Sequence, residues 1–167
     1  MALMTKDIRS LDALYTHMLR DIYYAENKIM KSLPALIDKS HDSKLKKGLS
    51  EHLEQTRNHV ARLEKVFGQI GAKAEAVDCP AIDGIIKEAD DVVAETGDPD
   101  TRDAAIIAAA QAVEHYEMTR YGTLISWAKR LGRKDSAAIL AETLAEEKEA
   151  DDKLTSVAES RVNAAAA

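Results

Sequence analysis

The chain has 167 residues and a mass of 18.3 kDa, one domain's worth of sequence. Three prolines and seven glycines, against roughly eight and twelve at average usage, leave too few turn formers for a sandwich or barrel of short strands, and the abundant Ala, Leu, Glu, Lys and Arg are the composition of long helices. A net charge of −6 with a pI near 5.4 weighs against nucleic acid as the main partner, and the lone Cys79 excludes an internal disulfide and a thiolate zinc site.

Charges at Lys6, Asp7, Arg9 and Asp12 interrupt any signal-peptide run, and no window approaches the ~18 apolar residues of a membrane span. The expectation is a soluble cytoplasmic protein with no membrane or nucleic-acid partner. The small basic cluster Lys44, Lys46, Lys47 reads as a solvated helix face.

Five helices are predicted. The first, over about 6–37, carries the stripe Ile8, Leu11, Leu14, Met18, Ile22, Ala25, Ile29, Leu33, Leu36, with Pro34 expected to kink it or loosen its last turn. The second, over about 42–68, is capped by Asp42 or Ser43. Its stripe is Leu45, Leu49, His52/Leu53, Thr56, His59/Val60, Leu63, Phe67, and Gly68 and Gly71 stop it. A shorter helix over about 81–95 follows Pro80. Asp98-Pro99 opens a fourth, over about 99–131, with the seam Asp103, Ile107, Ala110, Glu114, Glu117, Tyr121, Leu124. The fifth, over about 136–161, is capped by Asp135 or Ser136. It shows Ile139/Leu140, Leu144, Glu147, Asp151 and Leu154 on one face, and its Ala-rich end is expected to fray. Two antiparallel hairpins joined by a link of about 30 residues make an all-α, ferritin-like four-helix bundle with one long crossover carrying the fifth, shorter helix.

An amphipathic helix keeps charge off its apolar stripe. Here Glu26 lies between Ile22 and Ile29, Glu114 and Glu117 sit on the fourth helix's seam, and Glu147 and Asp151 fall between Leu144 and Leu154. Thr56 and His59 interrupt the second stripe. Counted from hairpin turns near 41 and 133, Glu26 lies 15 residues before its turn, Thr56 and His59 15 and 18 after it, Glu117 16 before the second turn, and Glu147 and Asp151 14 and 18 after that. All converge on one layer. Five carboxylates in an apolar layer need a counter-charge or must neutralise. No Lys or Arg falls on the stripes at that height, so a pair of metal ions is the expected solution. Glu26, His59, Glu114, Glu117, Glu147 and Asp151 are its candidate ligands. A carboxylate-rich, nitrogen-poor set favours two iron ions, or manganese, over zinc or copper. The helical solution of one Glu from each of two helices and Glu-x-x-His from each of two others is not met in full: Thr56-x-x-His59 and Glu147/Asp151 stand where Glu-x-x-His pairs would be.

The chain resembles the YciE/YciF family of bacterial ferritin-like proteins. The resemblance is carried by Leu19-Arg-Asp-Ile-Tyr-Tyr-Ala-Glu26, His52-Leu-Glu-Gln-Thr56, Arg62-Leu-Glu64, Ala112-Val-Glu-His-Tyr-Glu117 with Tyr121-Gly-Thr-Leu, and Leu144-Ala-Glu-Glu-Lys-Glu-Ala-Asp151. It implies a ferritin-like bundle with a dinuclear metal site, a homodimer, and a link to bacterial stress responses.

The expected chemistry is reaction with peroxide or dioxygen, or oxidation of ferrous iron. The alternative is a non-enzymatic helical stress or scaffold protein with a buried polar network and a dimer surface. Iron storage, which needs a hollow shell, is less favoured. Around the site, His52 is read as a neighbour bonding an adjacent helix or a carboxylate, and Thr56 either lines the pocket or bonds the carbonyl one turn back. Tyr23, Tyr24, Tyr116 and Tyr121 lie near the layer in sequence and are read first as bundle filler, the alternative being to pass electrons or hold carboxylates by hydrogen bonds; Met118 and Trp127 are read as packing or an interface. Cys79 is read as a bystander, and Glu146, Glu149 and Asp152 as a solvated face.

Overall fold

A computed structural model of the chain describes residues 7–167. Helix α1 (Leu11–Lys39) runs up the bundle and α2 (Ser43–Gln69) runs down. A crossover carries α3 (Pro80–Glu95) back to the top, from which α4 (Pro99–Arg130) descends and α5 (Lys134–Val157) returns. One π turn, Ala158–Val162, and the short α6 (Asn163–Ala166) end the chain. The ring of packing is α1 on α2, α2 on α5, α5 on α4 and α4 on α1, with α3 laid outside α1 and α4. Among the described residues there is no strand, and no helix is long and apolar enough to cross a membrane.

Local chemistry fixes the ends. Ser10 Oγ accepts from Ala13 N, Asp42 from Lys44 N and Leu45 N, and Asp98 from Thr101 N, three side-chain N-caps. Gly71 (φ 67°) and Gly132 (φ 75°) take the left-handed conformation that lets α2 and α4 end in Schellman turns, with Ala72 N donating to Phe67 O and Arg133 N to Ala128 O.

Several boundaries depart from expectation. The predicted start of α1 at Lys6 lies outside the described residues; Ser10 caps the helix, and Ile8 is exposed. In its first half α1 buries Tyr15 and Leu19 rather than Leu11, Leu14 and Met18, a one-residue rotation of the stripe. The helix continues through Pro34 to Lys39. Neither Asp135 nor Ser136 caps α5. The helix begins directly after Gly132 and Arg133, so both fall in its first turn, where Ser136 Oγ donates to Gln69 Oε1 at 2.7 Å. The Ala-rich end is helical, held by buried Val162 and by Arg161, 2.9 Å from Asp42.

Asp103 explains how the crossover's far end is registered. It is 1% exposed on the inner face of α4, and its two oxygens accept from His41 N and Asp42 N at 2.8 and 2.5 Å. It therefore ties the top of α4 to the α1–α2 turn. Asp103→Asn keeps the shape but offers one acceptor where two are used. It is expected to lower unfolding free energy by about 1–2 kcal/mol, read as a reduced urea midpoint at unchanged slope.

Candidate metal centre

At mid-height the inner faces of the four long helices turn polar. Glu26 from α1, His52 and His59 from α2, Glu114 and Glu117 from α4 and Glu147 from α5 are all buried, four of them at 0% exposure. Their ligand atoms form two groups, each within 4.8 Å: His52, Glu114, Glu117 and Glu147, and Glu26, His59 and Glu147. Glu147 belongs to both. His59 Nδ1 lies 3.0 Å from Glu147 Oε1 and 3.4 Å from Glu26 Oε1, and His52 Nε2 lies 3.2 Å from Glu114 Oε1. These approaches are close but too poorly aligned to serve as hydrogen bonds. Glu26 Oε2, both His52 nitrogens, His59 Nδ1, Glu114 Oε2 and both oxygens of Glu117 and of Glu147 are buried without a hydrogen-bond partner. Buried polar atoms are normally satisfied. Such a concentration of donor-competent orphans, all aimed at one another, is the arrangement that bound cations would complete.

The electrostatics follow from burial. Desolvation pushes the Glu114 and Glu117 carboxyls well above the ordinary range, with neighbouring Glu147 adding to it, and raises Glu26 as well. Burial opposes the charged form of His59, yet Glu147 and Glu26 outweigh it and push the imidazole up to about 11. Glu147, although buried, is held below its usual range by the charged His59 beside it. His52 is depressed by its own burial. Burial and proximity thus favour charge on the His59–Glu147 pair and disfavour it on Glu26, Glu114 and Glu117 around it.

A second ring orients the first. His59 Nε2 lies 2.8 Å from Glu146 Oε2, and Arg62 grips Glu146 in a fork, Nη1 to Oε2 at 2.6 Å and Nη2 to Oε1 at 2.8 Å. The carboxylate fixes the imidazole by its outer nitrogen and leaves Nδ1 facing the cluster. Tyr121 Oη, fully buried, donates to Glu26 Oε1. Thr56, fully buried on α2, donates its Oγ1 to the His52 carbonyl at 2.9 Å.

Of the six candidate ligands, the structure brings Glu26, His59, Glu114, Glu117 and Glu147 together and leaves Asp151 out. Along α5 the inward positions are Thr143, Glu147, Ala150 and Leu154. Asp151 is rotated off that seam, where it accepts from Gln111 Nε2 at 3.0 Å and lies 3.3 Å from exposed His115. His52 takes the place left open, in the cluster rather than behind it. Its signal lies in the stripe itself, seven residues before His59 and thus on the same helix face. Glu146 is no solvated bystander, since His59 and Arg62 both hold it. Of the tyrosines only Tyr121 joins the site. Tyr23 donates to Glu64, Tyr24 to Asp83, and Tyr116 to Asp21, with Cys79 Sγ 3.0 Å from the Tyr116 hydroxyl.

The profile of a family described as "Domain of unknown function (DUF892)" matches residues 10–167. Protein YciF of Escherichia coli K12 is 39% identical over 158 residues, 94% of this chain and 95% of that protein. Among solved structures, YcfI from Rhodopseudomonas palustris superposes with a TM-score of 0.89 at 50% identity, over 90% of this chain and 96% of that one. The E. coli stress protein YciF superposes with a TM-score of 0.89 at 39% identity, over 93% and 98% of the two chains. A protein of Xanthomonas campestris pv. campestris, 20% identical with a TM-score of 0.71, shares the fold.

Proposed function

The chain belongs to the DUF892 family and is a relative of YciF, and on that premise we propose that it is a dinuclear metalloprotein of a stress response, holding two iron or manganese ions inside the bundle and reacting with peroxide or dioxygen or oxidising ferrous iron. One observation carries this reading: nine buried, unpartnered polar atoms on six side chains from four helices converge at one level. His52, Glu114, Glu117 and Glu147 would hold one ion, and Glu26, His59 and Glu147 the other. The four carboxylates match the four charges of two divalent ions, so the loaded site is neutral within its apolar shell. An iron pair held there would supply the two electrons that, with two protons, reduce one hydrogen peroxide to two waters.

The chain's own part is positioning. Tyr121 holds one oxygen of Glu26, leaving the other for metal. Arg62 and Glu146 turn His59 Nδ1 inward. Arg62→Ala is expected to weaken metal binding 10–100-fold while the helices persist, read by competition with a chelator of known affinity. The stress assignment is carried over from E. coli YciF, and a cytoplasmic homodimer belongs to the same proposal. Elemental analysis after anaerobic ferrous loading tests it, with close to two ions per chain expected and none overturning it. The reading as a non-enzymatic scaffold draws on the His59–Glu147 pair, which forms a self-contained ionic group. It leaves the orphaned oxygens of Glu117 unexplained.

A further inference from the structure

Below the metal centre the bundle is filled by large side chains, Tyr15, Leu63, Phe67 and Leu140. Above it, towards the α1–α2 turn, small ones stand in their place: Gly48, Ala110 and Ala150 line a cavity of about 250 Å³ that opens between α2 and α5. A Cβ at Gly48 would meet nothing within 4 Å. The interior is apolar, walled by Ile29, Leu33 and Leu154. Its inner end is different. There His52 and Glu114 line it, 6% and 2% exposed, with both His52 nitrogens and Glu114 Oε2 unpartnered. The mouth carries exposed Lys44, Lys47 and Lys153 against two acids, Lys47 lying 3.6 Å from Glu51 and Lys153 2.8 Å from Glu149, a net positive rim on a chain whose net charge is −6.

We propose that this cavity binds a medium-chain aliphatic carboxylate, its head on the lysine rim and its chain reaching down to His52 and Glu114. An apolar tunnel with a few placed polar groups is the architecture of a small-molecule site. A cavity of about 250 Å³ is many times what one water needs and admits an aliphatic chain of medium length. The lysines choose an anionic head over a neutral one, and the apolar wall chooses a chain over a polar solute. The ligand's far end then lies against the cluster, making an aliphatic acid the organic substrate class the centre admits; that last step rests on the metal-site reading, whereas the binding does not.

Calorimetric titration of the purified full-length chain with decanoate, decanol and butyrate tests it. Saturable binding of one decanoate per chain is expected, at least tenfold tighter than either comparison ligand. Gly48→Leu puts a better helix former on α2, so the fold is kept, and its side chain enters the cavity. It should weaken decanoate binding tenfold or more with metal content unchanged. Lys44→Glu combined with Lys153→Glu should weaken decanoate but not decanol. Absence of saturable decanoate binding, or equal binding by Gly48→Leu, overturns the proposal. So does a chain that ignores decanoate but changes oligomeric state on Gly48→Leu, which gives the cavity to a second copy. Decanoate binding without metal uptake sinks the metal reading and leaves the cavity assigned; metal uptake without decanoate binding does the reverse.

Discussion

Glu147→Gln is expected to abolish uptake of both metal ions, not one. Glu147 is the member common to the two ligand groups, with both oxygens buried and unpartnered. Glutamine preserves the shape but removes the charge and one of two oxygen donors, so it cannot bridge. Metal affinity should fall more than 100-fold, beyond the 10–100-fold typical of outer-shell changes, and any peroxide turnover should fall with it. The metal-free protein should also be weakened, by about 1–3 kcal/mol, because His59 loses the carboxylate nearest its inward Nδ1 and keeps Glu26 on that side and Glu146 on the other. Elemental analysis after anaerobic loading and desalting checks the first effect and urea denaturation the second. Retention of two ions would remove Glu147 from the centre.

Glu117→Leu should act with the opposite sign on stability. Both Glu117 oxygens are fully buried and unpartnered, and burial, with Glu147 and Glu26 nearby, raises the carboxyl well above its usual range. Replacing it with an apolar side chain of similar reach removes two unsatisfied groups. The metal-free chain should gain about 1–3 kcal/mol, a rise in Tm of roughly 2–4 °C per kcal/mol for a chain of this length. The same variant should show no further stabilisation by Fe²⁺ or Mn²⁺, whereas wild type gains stability from both. This is the behaviour of a residue kept for binding at the expense of stability. A loss of stability without metal would mean that Glu117 has a structural partner in solution.

Much of this arrangement is legible in the amino-acid sequence, for a physical reason. Long helices with few turn formers leave little freedom of topology, and a charge on an apolar stripe is visible as a break in period. The seam of α4 from Asp103 to Leu124 can be read residue by residue, since each of its members is buried. Counting heights from the turns works although the two hairpin turns stand at opposite ends of the bundle. Arg161 beside Asp42 marks the top and Arg133 near Asp12 the bottom. The count succeeds because every site residue lies near mid-helix, where distances from either end agree.

Rotation about the helix axis and contact between helices are harder to read from sequence. Periodicity locates a face to within about one residue. That width separates Tyr15 from Leu14 on α1 and Ala150 from Asp151 on α5, and it places Asp151 in the cluster. The role of Glu146 depends on Arg62 of another helix, and no pattern within α5 reports it. The role of Asp103 as an anchor for the α1–α2 turn is likewise hidden, because its partners are backbone amides 61 and 62 residues away.

Anomalous diffraction from crystals of the full-length protein soaked in Mn²⁺ tests the central claim most directly. Two peaks inside the bundle are predicted, one among His52, Glu114 and Glu117, the other between Glu26 and His59, with Glu147 touching both. An interior without anomalous density, and manganese bound only at surface carboxylates, would contradict it.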